Sequence, residues 1–286
     1  MRFRFKKSES PAKALRRVCH ERVDAALDCL QKPGRPAAVH GARKEIKKVR
    51  ALFRLVRGEI RGSTYRKGVK ALRAAADCLA ATRDARVMLK AFEKLTGRAA
   101  RQFPGIASAL KKNTRQEARR FRKNDSVALA ERQLRKTSRR VGDLKIKLTG
   151  WAAIEPGLKQ SYHHGRESYR LTGQHPAPEN FHEWRRQVKD LWFYICLLQP
   201  VCPAATRALA DNLELLAQEL GDDHDLFMLH EFVMKHSAEQ PGETKALNQL
   251  VQARHKKLRA AARKRGARLY AETPAVFCHR LKQSRR

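Results

Sequence analysis

The sequence predicts an all-α fold in two halves, and three observations support this prediction. Long stretches rich in Ala, Leu, Arg, Lys and Glu are broken by Gly and Pro, and strand-like alternation is nearly absent. The chain has 286 residues, 42% of them hydrophobic, which is enough to bury a core. The second half also repeats patterns of the first, which indicates an internal duplication.

The helices are predicted in chain order from their boundary residues. Ser10 and Pro11 are typical of an N-cap followed by a proline in the first turn, so a helix is predicted from there to Leu30. The loop at residues 32–36, with two prolines and a glycine, separates it from the second helix. Further helices are predicted at about 36–57, 65–95, 104 to beyond 123, 127–147, 158–173, 178–198, 203–236 and 244–270.

Two segments repeat each other at an offset of 142 residues, beginning at Pro36 and at Pro178. Both read Pro-x-x-apolar-His-x-x-basic-basic-x-apolar-Lys. Their apolar positions have the three-four spacing of a helix packed in a bundle: Val39, Ala42, Ile46, Val49, Phe53 and Val56 in the first copy, and Phe181, Trp184, Val188, Leu191, Ile195 and Leu198 in the second. A second repeated block pairs residues 79–88 with 220–229 at an offset of 141. We therefore predict one domain over residues 1–286, with halves at 5–150 and 151–282.

The net charge indicates a polyanionic partner. Lys and Arg number 63 against 28 Asp and Glu, a formal net charge of +35. A surplus of this size destabilises the compact state by self-repulsion unless a polyanion offsets it. Nucleic acid, an anionic membrane surface and inorganic polyphosphate are the candidate partners.

Other features narrow the class of protein. The longest apolar run, residues 191–198, is too short to span a bilayer, so no membrane insertion is expected. The first ten residues lack the apolar stretch of a secretory signal. Six scattered cysteines without a C-x-x-C motif predict free thiols and a cytoplasmic location. The richness in Ala and Arg is typical of a GC-rich bacterial genome.

The basic residues are sorted onto particular helix faces. In the second helix, five of them each follow an apolar core position by one residue and form a stripe along one face. Residues 208–234, in contrast, contain seven carboxylates and no Lys or Arg. The candidate binding residues are His40, Arg43, Lys44, Lys47, Lys48, Arg50 and Arg54 in the second helix; Lys159, His163, Arg166 and Arg170 in the helix near residue 158; His182, Arg185, Arg186 and Lys189 in the second repeat; and Arg259 and Arg263 in the last helix.

These faces fit a linear phosphate chain better than a base-reading site. Arg offers a planar fork for phosphate oxygens, Lys a mobile point charge and His a further donor. Aromatic residues make up only 7% of the chain and lie at or beside core positions rather than as stacking platforms. No RNA-recognition, zinc-finger or basic-zipper signature occurs.

The repeated His-x-x-basic-basic-x-x-Lys helix, followed by Arg83-Asp84 or His224-Asp225, resembles the CHAD family, the conserved histidine α-helical domain. The segment 162–192 is similar to the family's second-half signature, and the similarity extends over about residues 5–282. The resemblance implies two pseudo-symmetric four-helix bundles around a basic central channel that binds inorganic polyphosphate, and association with polyphosphate granules. It also implies that His40, Arg43, Lys44, Lys47, Arg54, Arg166, His182, Arg185, Arg186 and Lys189 line the channel.

Two departures from the family pattern bear on the channel. Asp190 stands where the first repeat has Lys48, and Trp192 and Cys196 replace Arg50 and Arg54. One wall of the channel is therefore expected to be more basic than the other. No Glu-x-Glu-x-Lys signature of a triphosphate-tunnel domain occurs, so a free-standing module is expected.

Catalysis is not expected. Asp222 and Asp225 can share a helix face, but two oxygens from one turn are too few for a metal site. Asp84 and Asp225 are expected instead to lie near a helix start or to bond neighbouring basic residues. No Walker loop or nucleophile elbow accompanies the histidines, so no cofactor is predicted either. The main alternative function is nucleic-acid binding by the same basic faces, and a polyphosphate hydrolase or kinase is a third.

Overall fold

A computed structural model describes residues 3–6, 9–31, 36–142 and 149–284. Over these ranges the chain forms α-helices and three short 3-10 helices and contains no strand, which confirms the all-α prediction. The α-helices are α1 (Pro11–Leu30), α2 (Pro36–Leu55), α3 (Gly62–Cys78), α4 (Ala80–Thr96), α5 (Pro104–Lys123), α6 (Ser126–Gly142), α7 (Glu155–Gln174), α8 (Pro178–Leu198), α9 (Pro203–Lys235), α10 (Pro241–Leu269) and α11 (Pro274–Gln283). The 3-10 helices are Gly97–Gln102, Gly150–Ala153 and Ser237–Glu239.

Proline in the first turn marks most of the helix starts. It occurs at the start of α1, α5, α7, α8, α9, α10 and α11, where the missing backbone N–H costs no hydrogen bond. Ser10 caps α1 as predicted, because its hydroxyl accepts a hydrogen bond from the Lys13 backbone N–H at 3.4 Å. α2 and α8 begin at the prolines that the repeat aligns, while the duplication itself stays a prediction.

Two predicted boundaries were wrong. The single helix predicted at 65–95 is interrupted at Leu79, which separates α3 from α4. No helix was predicted after residue 270, yet α11 begins there with Thr273 as its N-cap. Loop residues 32–35 and residues 143–147 of the predicted fifth helix lie outside the described residues.

The helices of the N-terminal half are broken where those of the C-terminal half are continuous. α3 and α4 meet at Leu79, and α5 and α6 meet at Asp125, whose φ is 47°. Asp tolerates this left-handed conformation better than most residues, which explains why the chain can turn there. α9 and α10, by contrast, run unbroken for 33 and 29 residues.

The helices bury two hydrophobic cores. α1 packs against α2 and α6, and α3 against α6, while α7, α8, α9 and α10 pack in sequence. The larger core joins these two groups and includes every predicted apolar position of α2 and α8, with Val39 half-buried and the others buried. The smaller core lies between α4, α5, the end of α9 and the start of α10, around Phe92, Phe103 and Leu229. Both halves of the chain therefore contribute to both cores.

The contact between α2 and α8 connects the two helix groups at the centre of the molecule. The Tyr194 hydroxyl donates a hydrogen bond to the Ala51 carbonyl at 2.9 Å. Nearby, the Arg54 guanidinium donates two hydrogen bonds of 2.6 Å to the Asp190 carboxylate. Such a paired fork fixes geometry as well as adding energy, so the relative position of the two helices is well defined.

Further structural findings concern the membrane and the thiols. None of the described helices is both long and apolar enough to cross a bilayer. Within the described residues the six cysteines form no disulfide bond, with Cys19, Cys202 and Cys278 buried and the other three half-buried.

We expect Gly157→Ala to destabilise the fold. A Cβ at this position would lie 1.9 Å from the Leu55 carbonyl oxygen, so the α7 backbone would have to move away from the end of α2. The expected loss is about 1–3 kcal/mol in the free energy of unfolding. Chemical denaturation measures it, with Gly242→Ala as the control because nothing lies within 4 Å of a Cβ there. Equal stability of the two variants would contradict the close α2–α7 contact.

Candidate polyanion-binding site

The basic stripes of α2 and α8 meet across the contact between these helices. Arg43 and Lys47 of α2, Arg185 and Lys189 of α8 and Arg83 of α4 form what we call the central cation cluster. All five side chains are half-buried. Burial, followed by the positive charges of the other four members of the cluster, lowers the pKa of Lys47 to about 7. Lys189 behaves in the same way, with its pKa lowered to about 8 chiefly by burial and by Arg185.

Among the described residues, carboxylates contact one member of the cluster, Arg83, and form no ion pair with the other four. The buried Nε atoms of Arg43 and Arg185 have no hydrogen-bond partner among the described residues. Arg43 donates through its Nη1 atom to the Ala76 carbonyl near the end of α3, and Lys189 lies 5.2 Å from the centre of the Trp192 ring. A buried Nε–H donor without an acceptor is costly, so the surroundings of these two arginines favour an anionic ligand.

Arg83 is the member of the cluster that the sequence analysis missed. Its guanidinium lies 2.9 Å from the Asp84 carboxylate and 3.8 Å from that of Asp225. The expected hydrogen bond to a neighbouring basic residue is confirmed for Asp84, whereas Asp225 only makes an ion-pair contact with Arg83, and its buried Oδ1 atom has no hydrogen-bond partner among the described residues. Burial raises the pKa of Asp225, against the opposing effect of Arg83 and Arg185. Arg83 lies in the second repeated block, residues 79–88, and this repeat is the sequence pattern that could have identified it.

The repeat histidines occupy corresponding surroundings in the two halves. Burial, followed by the charge of Arg83, lowers the pKa of His40. The ring of His182 instead meets His224, the residue aligned with Arg83, with 3.1 Å between their Nδ1 atoms. Burial and the neighbouring His182 lower the pKa of His224 to about 3. One imidazole must therefore donate to the other in the uncharged state.

A second group of cations adjoins the cluster along α2 and α8. Arg50 is half-buried, its Nε atom has no hydrogen-bond partner, and burial followed by Arg54 lowers its pKa. Arg54 is paired with Asp190, and Arg186 donates to Glu183 at 2.7 Å. Asp190 therefore neutralises Arg54 at the end of the α2 stripe. The alignment of Asp190 with Lys48 in the first repeat did not indicate this ion pair.

The other predicted site residues make their polar contacts outside the central cation cluster. Lys44 is exposed, although its charge affects Lys189, and Lys48 bonds Glu45 at 2.8 Å. Lys159 and His163 line a separate cavity of about 800 Å³ with Arg54 and Arg57. The remaining candidates contact other groups nearby. Arg166 donates a hydrogen bond to the Tyr270 carbonyl, Arg170 to the Glu167 carboxylate and Arg259 to the Asp223 carboxylate. The Arg263 guanidinium lies 5.6 Å from the centre of the Tyr169 ring. Among the described residues, no three His, Cys, Asp or Glu side chains are grouped so that they could hold a metal ion.

Comparisons with known proteins concern the family and the fold. A family model described as CHAD domain matches residues 13–234. The crystal structure of the CHAD domain from the plant Ricinus communis is similar to this one, with a TM-score of 0.57 and 17% sequence identity. The similarity covers 93% of this chain and 89% of that one. No match is found among curated proteins.

We expect two lysines to titrate far below the others in the unliganded protein. In a chain carrying isotope-labelled methyl groups on its lysines, NMR resonances should titrate near pH 7 for Lys47 and near pH 8 for Lys189. The substitutions Lys47→Arg and Lys189→Arg should remove them one at a time. Because the folded chain binds fewer protons here than the unfolded chain, both lysines make the free energy of unfolding rise with pH from about 7 toward about 10.4. Titration of every lysine near the ordinary value would contradict the crowding of cations in this cluster.

Proposed function

This chain belongs to the CHAD domain family, and we propose that it binds inorganic polyphosphate at the central cation cluster. In this proposal the α2 and α8 stripes are facing walls of the basic channel that the family resemblance implies. The chain acts as a binding protein without catalysis, associates with polyphosphate granules and resides in the cytoplasm. Both stripes, rather than either one alone, hold the ligand.

The strongest support for the proposal is the position of four cations from the two repeats. Arg43 and Lys47 from one repeat and Arg185 and Lys189 from the other are brought together, half-buried, with no carboxylate paired to any of them in the described part of the chain. A solvated basic surface would not bury its charges or concentrate them on two adjoining helices. Leaving such charges uncompensated opposes folding, and a phosphate chain would remove that cost.

The chemistry of the cluster suits a chain of phosphates. Inorganic polyphosphate presents repeated anionic oxygens and no bases. Arginine forks bind such oxygens in pairs, and the buried Nε atoms of Arg43, Arg50 and Arg185 have no hydrogen-bond partner among the described residues. The lysines contribute charge without demanding a fixed geometry, so a flexible chain can lie across them in more than one register.

Nucleic-acid binding is the second candidate, and a different set of residues favours it. α5 carries exposed cations at Lys111, Lys112, Arg115 and Arg119, which a nucleic-acid backbone could reach from solvent. The half-buried central cluster is less suited to a wide duplex. The two functions therefore make use of different surfaces, which a matched pair of variants can separate.

We expect the quadruple Ala variant of Arg43, Lys47, Arg185 and Lys189 to lose its retention on a polyphosphate matrix. Its affinity for long-chain polyphosphate should fall by at least about a hundredfold, because each lost cation removes a phosphate contact and its counterion release. The control is the quadruple Ala variant of Lys111, Lys112, Arg115 and Arg119, which loses the same charge from an exposed face. Circular dichroism establishes that both variants are folded.

The same pair of variants distinguishes the two functions. If the central cluster holds polyphosphate, the control variant keeps its retention, and long-chain polyphosphate displaces bound DNA or RNA at equal phosphate concentration. If instead the α5 variant loses binding and the central variant keeps it, or if duplex DNA resists displacement, the proposal is wrong and nucleic-acid binding replaces it.

We further expect polyphosphate affinity to weaken as the pH rises above neutrality. Lys47 and Lys189 have lowered pKa values of about 7 and about 8 in the free protein, and a bound anion favours their charged forms. Binding should therefore take up protons, and affinity should fall by at least about tenfold between pH 7 and pH 9. Calorimetry in buffers of different ionisation enthalpy measures the proton uptake. Its absence in the wild-type chain would exclude these lysines as ligands.

A further inference from the structure

An apolar cavity opens beside the central cation cluster. It has a volume of about 700 Å³ and lies between the start of α2, α4, the end of α5 and the start of α6. Its apolar lining comes from Val39, Val87, Ala118, Phe121 and Val127. The volume and lining are typical of a small-molecule site, in which most of the surface is hydrophobic and a few charged groups orient the ligand.

Cations line this cavity as well. α4 contributes Arg83, Arg86 and Lys90, which lie three or four residues apart on one helix face with Val87 between them. His40 and Arg122 add to them from α2 and α5, and Asp125 is the one acid in the described lining. Arg86, Lys90 and Arg122 form no ion pair with a described carboxylate. Arg83 belongs both to this lining and to the central cation cluster, so the two sites are continuous.

The residues that line this cavity differ from those at the aligned positions of the second repeat. At the position aligned with Val39 that repeat has Phe181, which is buried, and the Arg259 guanidinium lies 4.4 Å from the centre of that ring. At the position aligned with Arg83 the second repeat has His224, whose ring lies 4.4 Å from that of His182, centre to centre, and is tilted by 47° to it. Large rings therefore occupy these positions in the C-terminal half. In the N-terminal half, the smaller Val39 side chain and the turn at Asp125 line the cavity instead.

We propose that this cavity binds the apolar part of an isoprenoid phosphate or diphosphate whose phosphate group contacts Arg83 and Arg86. The apolar lining would enclose the hydrocarbon chain, while the α4 cations would bind the phosphate at the edge shared with the central cluster. This ligand class goes beyond polyphosphate, since a bare phosphate chain has nothing to place in an apolar cavity.

A nucleotide fits this lining less well than an isoprenoid chain does. A nucleobase needs directed hydrogen bonds, but the Thr82 hydroxyl already donates to the Glu117 carbonyl at 3.2 Å. Apart from the His40 imidazole, Phe121 has the only ring among the described lining residues, so a base has few rings to stack on. A hydrocarbon chain needs neither, and its burial is favourable in proportion to the apolar area removed from water.

Calorimetry with farnesyl diphosphate, pyrophosphate, geraniol and ATP tests the proposal. We expect farnesyl diphosphate to bind at least about tenfold more tightly than pyrophosphate, since its chain buries apolar area that pyrophosphate lacks. Ala118→Trp fills the cavity from α5 and should abolish this difference, while retention on the polyphosphate matrix is unchanged. Ala208→Trp, at an exposed position on α9, is the matched control.

A second variant guards against misfolding of the first. Replacement of the exposed Arg86 and Lys90 by Ala should weaken farnesyl diphosphate and leave the fold intact, whereas the same change at Lys112 and Arg115 should have no effect. Equal binding of farnesyl diphosphate and pyrophosphate, or a preference for ATP that Ala118→Trp removes, would overturn the proposal. Because these variants spare Arg43, Lys47, Arg185 and Lys189, their outcome is independent of the polyphosphate test.

Discussion

The packing of α2 against α8 forces positive charges together, and the rest of the site depends on that constraint. The apolar faces of the two helices are buried in one core, so the residues that follow each apolar position cannot avoid one another. Lys47 and Lys189 are consequently held among arginines, and their pKa values fall to about 7 and about 8. Hydrophobic burial thus stabilises a distribution of charge that would otherwise be dispersed in solvent.

The few acids near this interface determine where positive charge remains. Asp190 binds Arg54 with two hydrogen bonds, and Asp84 and Asp225 lie against Arg83. Asp190 therefore neutralises Arg54 beside the cluster, and Asp84 and Asp225 partly neutralise Arg83 within it, while none of the described carboxylates is paired with Lys47 or Arg185. The result is a cluster in which one cation is partly compensated and the others have no ion-pair partner among the described residues. Such a distribution concentrates the attraction for an anion at the centre rather than spreading it over the surface.

Sequence reasoning predicted the features that depend on local pattern. Prolines marked the starts of α1 and α8, and three-four spacing identified the buried faces of α2 and α8. Sequence reasoning missed features that depend on contacts between residues distant in sequence. The break at Leu79 has neither Gly nor Pro to announce it, and Arg83 joins the cluster because α4 packs near α2. Arg259 and Arg166 stay predicted site residues, and the structure places them against Asp223 and the Tyr270 carbonyl, partners that are distant in sequence and that no local pattern indicates.

Loss of protons reduces the repulsion among the cations of the site when no anion is bound. At neutral pH the ammonium group of Lys47 is close to half deprotonated, and His224, with a pKa of about 3, is uncharged. The free chain therefore carries less charge at the centre than its sequence implies, and this makes the crowded arrangement tolerable without a ligand. An arriving anion restores the charge, since it favours the protonated lysines. Arginines, which stay charged, supply the permanent attraction, while the lysines adjust to whether the site is occupied.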